Sequence, residues 1–390
     1  MSHQRLLFVI STTLFLLGSF SVNVIQALSP APRALVREVN NVRDYASPAL
    51  AWGRTYFVDG SVLLTDRPAA WTVVPTPPDV IVSAVAPDAR RSGVLYIGAA
   101  NELAIYRSLD HGRNWLRIPF GDAYSGGITD LTVDSWQRLI YAGTDTAGLF
   151  RLRDVGSSVI LTARFPLAEP VLEVVTERTG TGLAFARTAQ RLYRAEADGL
   201  QWSPVENLGS TPTALTLANT IPATIYVGTV DRGVLKSQDG ATWQRVNDGL
   251  GQMPGSRLTI NDISSDPVQP AVLYAATSYL FGHTTVHRTP VGVAMSIDGG
   301  AHWVPLAADQ DAEVVELLPM SGKTGAVYAL TNQSRRPLAL GRAPMLAADP
   351  IVAEANPPMQ TLRDLSFWPA VSLGLLACTV VFAHSQRRVV

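Results

Sequence analysis

The sequence contains a single cysteine, Cys378, in 390 residues. An intramolecular disulfide is therefore excluded, and so is a zinc site built from cysteines. Any folded region outside a reducing compartment must hold together by packing and hydrogen bonds alone. Lysine is also scarce: Lys236 and Lys323 are the only two among 31 basic residues. Charged residues make up 16% of the chain and the net charge is −1, against about a quarter charged in an ordinary soluble protein. No basic run occurs, so the electrostatic footprint of a nucleic-acid binder is missing and no nucleic-acid partner is expected. A phosphate-cradling glycine loop, a Gly-x-Ser-x-Gly elbow and a helical zinc motif are absent too. No cofactor and no metal are expected.

What is present begins with two apolar runs at the ends. Leu6–Ile25 follows Arg5 and leads to "VIQA" at Ala27. Residues 1–27 read as a secretory signal peptide, and at about 20 apolar residues the run is also long enough to stay as a signal anchor. Ser366–Ala383, "SFWPAVSLGLLACTVVFA", suffices to span a bilayer, with Trp368 near one end and Arg387 and Arg388 beyond the other. Positive charge stays on the cytoplasmic side. The expected organisation is a transmembrane helix at 366–384, a cytoplasmic tail at 385–390 and a Pro/Ala-rich stalk at 347–365. The bulk of the chain would then be extracytoplasmic, periplasmic or on the cell surface, and tethered to a membrane.

Between these ends one unit repeats. Asp66 precedes Trp71 by five residues, as Asp110 does Trp115 and Asp298 does Trp303; Asp198 precedes Trp202 by four, as Asp239 does Trp243. In the wider gap between Trp115 and Trp202, Asp154 and Gly156 keep the pattern while Val159 replaces the tryptophan. The tryptophans of these boxes step by 44, 87, 41 and 60 positions. That is a period near 43 with one skipped copy and one insertion of about 17 residues, the mark of a repeat architecture. Three short β-type runs precede each aspartate, such as "VIVSAV", "VLYIGA" and "LAIYRS", and a fourth follows each tryptophan. Four strands per roughly 43 residues is one blade of a β-propeller. The sequence therefore predicts an all-β, seven-bladed β-propeller over 34–346. The first unit shows no clear innermost strand and the last no clear outer one. Closure by a blade drawing on both chain ends is expected, with Ala34–Val39 as the missing outer strand.

The repeated box falls where the third strand turns into the fourth. Its carboxylate can accept several backbone N–H groups and hold a tight turn. Gly112, Gly240 and Gly300 permit backbone that a Cβ resists. Ser108, Ser237 and Ser296 add a hydroxyl, and the tryptophan covers apolar area between blades. Carboxylates dispersed around a ring cannot converge on one substrate, so these aspartates are read as structural and not catalytic. Ser108–Trp115 and Ser296–Trp303 resemble the Asp-box, or bacterial neuraminidase repeat. With its degenerate copies the resemblance covers residues 50–340. Asp-box propellers include sialidases, xyloglucan-cleaving glycosidases, sortilin-type receptors and photosystem II assembly factors. The resemblance implies the fold and leaves activity open.

A sialidase-like reading finds one echo, "LRIP" at Leu116–Pro119, but Arg117 directly follows a box tryptophan and so falls on an outer strand. Paired carboxylates for another type of glycosidase have axis-facing candidates in Asp145 and Asp231. His283 and His287 lie four apart in the one long insertion, in a Thr-rich, Pro-ended hairpin or loop that does not suit a metal. A binding surface remains. Loops joining fourth to first strands, and second to third, gather on one face of a propeller and carry Asp122, Tyr124, Asp145, Asp231, Arg232, His283, His287 and Arg288. The expectation is a non-catalytic propeller that binds another protein or a membrane complex. The alternative is an anchored sialidase-like glycoside hydrolase acting on extracellular glycans.

Overall fold

The computed structural model describes residues 39–341 except 47–53, 68–69, 178–181, 196–198, 252, 283–284, 309–311 and 320–325. The signal segment, the stalk, the membrane span and the tail read from the sequence lie outside the described residues, as do Asp198 and His283. Among the described residues no helix is long and apolar enough to cross a membrane.

Seven antiparallel sheets follow one another along the chain. Blade 1 holds β1 (Val42–Ala46), β2 (Tyr56–Asp59), β3 (Val62–Arg67) and β4 (Ala70–Val73). Blade 2 holds β5 (Val82–Pro87), β6 (Leu95–Ala99), β7 (Ala104–Ser108) and β8 (Leu116–Pro119). Blade 3 holds β9 (Ile128–Asp134), β10 (Leu139–Thr144), β11 (Leu149–Asp154) and β12 (Val159–Phe165). Blade 4 holds β13 (Glu173–Thr176), β14 (Ala184–Arg187), β15 (Leu192–Ala195) and β16 (Trp202–Pro204). Blade 5 holds β17 (Pro212–Ala218), β18 (Thr224–Thr229), β19 (Val234–Ser237) and β20 (Gln244–Arg245). Blade 6 holds β21 (Ser256–Ser265), β22 (Leu273–Phe281), β23 (His287–Ser296) and β24 (Val304–Ala308). Blade 7 shows three strands among the described residues, β25 (Val314–Pro319), β26 (Ala326–Thr331) and β27 (Leu338–Gly341). The fold is a seven-bladed β-propeller.

Position in the blade explains each strand's residues. The second strand is covered on both faces by neighbouring blades, so β6, β10 and β18 are buried at every residue and read as continuous apolar runs. Tyr96, Tyr141, Tyr226 and Tyr274 occupy the same place on four of these strands and are fully buried. Two residues on, Gly98, Gly143 and Gly228 let the next blade's first strand approach. A Cβ there would lie 2.5 Å from Ile128, 2.7 Å from Val171 and 2.7 Å from Ile260. Outer strands face solvent; β8 buries only Ile118.

The third-to-fourth turns are closed by side chains. Ser108 Oγ donates to Asp110 Oδ1 (2.8 Å) and accepts from Gly112 N–H (2.8 Å), while Asp110 Oδ1 accepts from the N–H groups of Arg113 and Asn114 (3.0 and 2.9 Å). Ser237 and Asp239 repeat this with Gly240, Ala241 and Thr242; Ser296 and Asp298 do so with Gly300 and His302. The backbone N–H of Asn114 leads the donors that hold the Asp110 carboxyl down at about 2. Trp115 and Trp303 reach back to the preceding blade, donating Nε1–H to the carbonyls of Pro75 (2.7 Å) and Val246 (2.8 Å). Trp202 packs edge-on against Tyr141 (5.7 Å) and Trp71 against Phe57 (4.7 Å). Trp243 packs beside the Phe185 cluster. Asp66 pairs with Trp71 in the β3–β4 ladder, and its side chain lies outside the described residues. Ser108 is fully buried, so Ser108→Ala leaves the Gly112 N–H unpaired. The expected loss is about 1–3 kcal/mol, read from the denaturant midpoint of unfolding.

One expectation needs correction. Blade 1 has its own innermost strand, β1, with sequence VRDYA. The strand escapes a search for apolar runs because its axis-facing positions carry Arg43 and Asp44. Of Ala34–Val39, only Val39 is described; it is not in a strand, and the others lie outside the described residues. Among the described residues, blades 7 and 1 meet at a seam. Val42 N–H donates to Arg335 O (3.1 Å), Arg335 Nε donates back to Val42 O (2.7 Å), and the Tyr45 hydroxyl donates to Pro319 O. Val42, Phe57, Leu64, Leu318 and Leu330 pack beneath them.

Asp154 has a role beyond the structural one expected of it. It does accept from Gly156 N–H (2.7 Å), but it does more than close its own turn. Both oxygens reach across to blade 2, meeting Arg107 Nη1 at 2.9 Å and Arg91 Nη1 at 2.8 Å, with the Tyr96 hydroxyl on the second oxygen. The degenerate box, lacking its tryptophan, joins two blades by a buried ion cluster.

Candidate functional site

The first strands of all seven blades surround an axial funnel of about 530 Å³, and most of its wall is polar. Its chemistry comes from one repeated position. Six of the seven first strands carry a bulge, and the residue after it lines the funnel where it is an acid. That residue is Asp44, Ala84, Asp130, Ala214, Asp262 or Glu316. In blade 4 Glu173 stands at the equivalent place. Five of seven blades therefore present a carboxylate. The bulged residue itself clamps the next blade: Ser83 donates to Ile128 O (2.6 Å), Thr129 and Thr213 to Val171 O and Ile260 O, and Asn261 to Val314 O (2.9 Å).

Each carboxylate is engaged. Asp44 accepts from Val85 N–H (2.6 Å), Asp130 from Val174 N–H and Asp262 from Leu317 N–H (2.6 Å), each in the following blade. Glu173 pairs with Arg187 (3.1 Å) and Glu316 with Arg335 (3.0 Å). All five touch the funnel and are otherwise ringed by protein, which penalises their charged form. Burial pushes Glu173 up to about 8, against the opposing pull of Arg187. It lifts Glu316 to about 7 and Asp262 to about 6. Asp44 and Asp130 are raised by burial as well, Asp44 further by the charge of Asp130. The funnel can thus hold a proton near neutrality, and it presents acid groups to anything that enters.

The loops singled out in the sequence form a rim of separate patches. Tyr124 stacks edge-on to Phe150 (5.4 Å) beneath the Arg164 guanidinium (4.4 Å), beside exposed Asp122. Asp145 accepts from Gly127 N–H (2.9 Å) and so ties two rim loops together. Asp231 accepts from Ser210 Oγ, and Arg232 donates to Leu208 O (3.0 Å), doing the same one blade-pair away. His287 and Arg288 lie exposed on β23, which with β22 makes the insertion a long hairpin. Arg288 pairs with Glu313. Asp145 and Asp231, expected as axis-facing acids, do not line the funnel, because both are engaged in rim turns. Arg117 sits on outer strand β8, half exposed and paired with Glu102. Among the described residues no three His, Cys, Asp or Glu side chains are grouped to hold a metal.

The five funnel acids were missed in the sequence although they repeat in phase: "VRDY", "ITDL", "VLEV", "INDI" and "VVEL". The signal is an acid two residues after an apolar one and directly before another, in five of the seven blades. The tryptophan register marks the opposite edge of the blade and carries no trace of these acids.

No family profile matches the chain, and no curated protein matches it in sequence. Solved structures do. A GH74 xyloglucanase from Xanthomonas campestris is similar over 77% of this chain and 52% of its own, with TM-score 0.58 and 20% identity. YCF48, solved bound to a D1 peptide, is similar over 81% and 99%, with TM-score 0.54 and 14% identity. The Cps50 β-propeller domain of Myceliophteria thermophila is similar over 80% and 100%, with TM-score 0.56 and 10% identity. This chain thus spans about half the length of the xyloglucanase. At these identities the likeness establishes the propeller fold and nothing further.

Proposed function

We propose that this propeller is a non-catalytic scaffold that binds another protein or a membrane complex through its rim loops. It would be held at the extracytoplasmic side of a membrane by the apolar C-terminal segment, with residues 1–27 acting as signal or anchor. The observation that carries the reading is that every funnel carboxylate is already committed to a backbone N–H or an arginine. A glycosidase needs two carboxyl groups free to reach one scissile bond. The similarity to YCF48 covers nearly all of that protein, which is bound to a peptide in its structure. By contrast, half of the xyloglucanase has no counterpart here.

One feature favours the alternative. Glu173, protonated near neutrality, sits on the same wall as acids that ionise lower, an arrangement suited to general-acid work on extracellular glycans. The two readings separate in one experiment. Affinity purification of the full chain from detergent-solubilised membranes should retain a stoichiometric protein partner. The same preparation should leave a fluorogenic sialoside and xyloglucan oligosaccharides intact. Hydrolysis of either, with no partner retained, reverses the assignment.

A further inference from the structure

The funnel acids are joints as well as charges. Asp44 links blade 1 to blade 2, Asp130 links blade 3 to blade 4, and Asp262 links blade 6 to blade 7, each by a backbone N–H of the following blade. Glu316 holds Arg335, and Arg335 in turn bonds Val42 O at the seam between blades 7 and 1. Without a disulfide, these contacts and the apolar packing are what keep the blades together.

The charges around this wall do not balance. Five carboxylates face three guanidiniums: Arg187 on Glu173, Arg335 on Glu316, and Arg43, which is exposed at the mouth and has no ion pair among the described residues. Tyr45, the other titratable group on β1, is turned to Pro319 O. The first strands of blades 2 and 5 bring only Ala84 and Ala214 to the equivalent position. Full ionisation would set negative charges against each other across a protein-walled funnel, where water screens them less than at an open surface.

We propose that the axial ring of Asp44, Asp130, Glu173, Asp262 and Glu316 is a proton-operated latch. In the folded propeller these acids share at least one proton, and losing it as the pH rises sets like charges against each other across the funnel and loosens the ring. A neutral carboxyl still accepts the next blade's N–H through its carbonyl oxygen, so proton uptake removes repulsion and keeps the joint.

The direction follows from linkage. In the unfolded chain these acids ionise near 4; in the fold Asp262, Glu316 and Glu173 are raised to about 6, 7 and 8. The folded state therefore binds more protons through that range. The stabilisation is complete in acid and is lost progressively as the pH rises from about 4 to 8. This inference is independent of what the rim binds.

The test is thermal unfolding of the full chain in detergent between pH 6 and 9. The wild type should lose about 5 °C or more in Tm over that range. Glu173→Gln combined with Asp262→Asn should flatten the slope and unfold at a higher temperature than wild type at pH 8. If that variant does not fold, exposed Arg43→Gln decides. Removing the unpaired cation should steepen the fall and lower Tm at pH 8. A wild-type Tm that is flat or rising across the range, or Arg43→Gln with an unchanged profile, overturns the proposal.

Discussion

Asp154→Ala should destabilise the propeller by about 3–5 kcal/mol, the range for removing one partner of a buried ion pair. The carboxylate is fully buried and Arg107 is 4% exposed, so its guanidinium would be left charged, desolvated and without a counter-ion. Arg91 suffers less. Its side chain is 23% exposed and keeps Asp88 at 2.7 Å. The loss is read from the urea midpoint of the full chain. A companion variant separates charge from shape: Asp154→Leu with Arg107→Met should recover most of the stability, because apolar replacements of a buried pair are often neutral. If Asp154→Ala alone unfolds within about 1 kcal/mol of wild type, the cluster is not the joint between blades 2 and 3.

Gly228→Val carries the second large effect, about 3 kcal/mol, the upper end for overpacking a filled core. At this position β18 meets the first strand of blade 6, and even a lone Cβ would stand 2.7 Å from the Ile260 side chain. Because the contact crosses a blade seam, Ile260→Ala in the same chain should relieve part of the loss, a coupling that a double-mutant cycle measures. Strictly additive losses would mean that the two strands do not meet there.

Much of this architecture was legible because a propeller writes its period into the chain. Tryptophans near 43 residues apart and three β-runs before each box were enough for seven blades. What escaped was polar. β1 was invisible because an axis-facing strand carries charge where a core strand carries leucine. Asp154 reads as a weak box copy because the sequence does not show Arg107 and Arg91 folding over from the preceding blade. The candidate site was legible as loops and illegible as a funnel. Asp145 and Asp231 looked free in the sequence, whereas each is engaged by a neighbouring turn. The acids that do face the axis sit inside runs that read as ordinary strands.

On the proposed function, recognition takes place on the rim and not by chemistry in the funnel. Replacing Tyr124 with a photo-crosslinking residue in the full chain, and separately replacing Ile297, which is exposed in a box turn on the opposite face, tests this most directly. In native membranes the account predicts a discrete protein adduct from position 124 and none from position 297. An adduct from 297 alone, or cleavage of a glycan substrate with an adduct from neither, would contradict it.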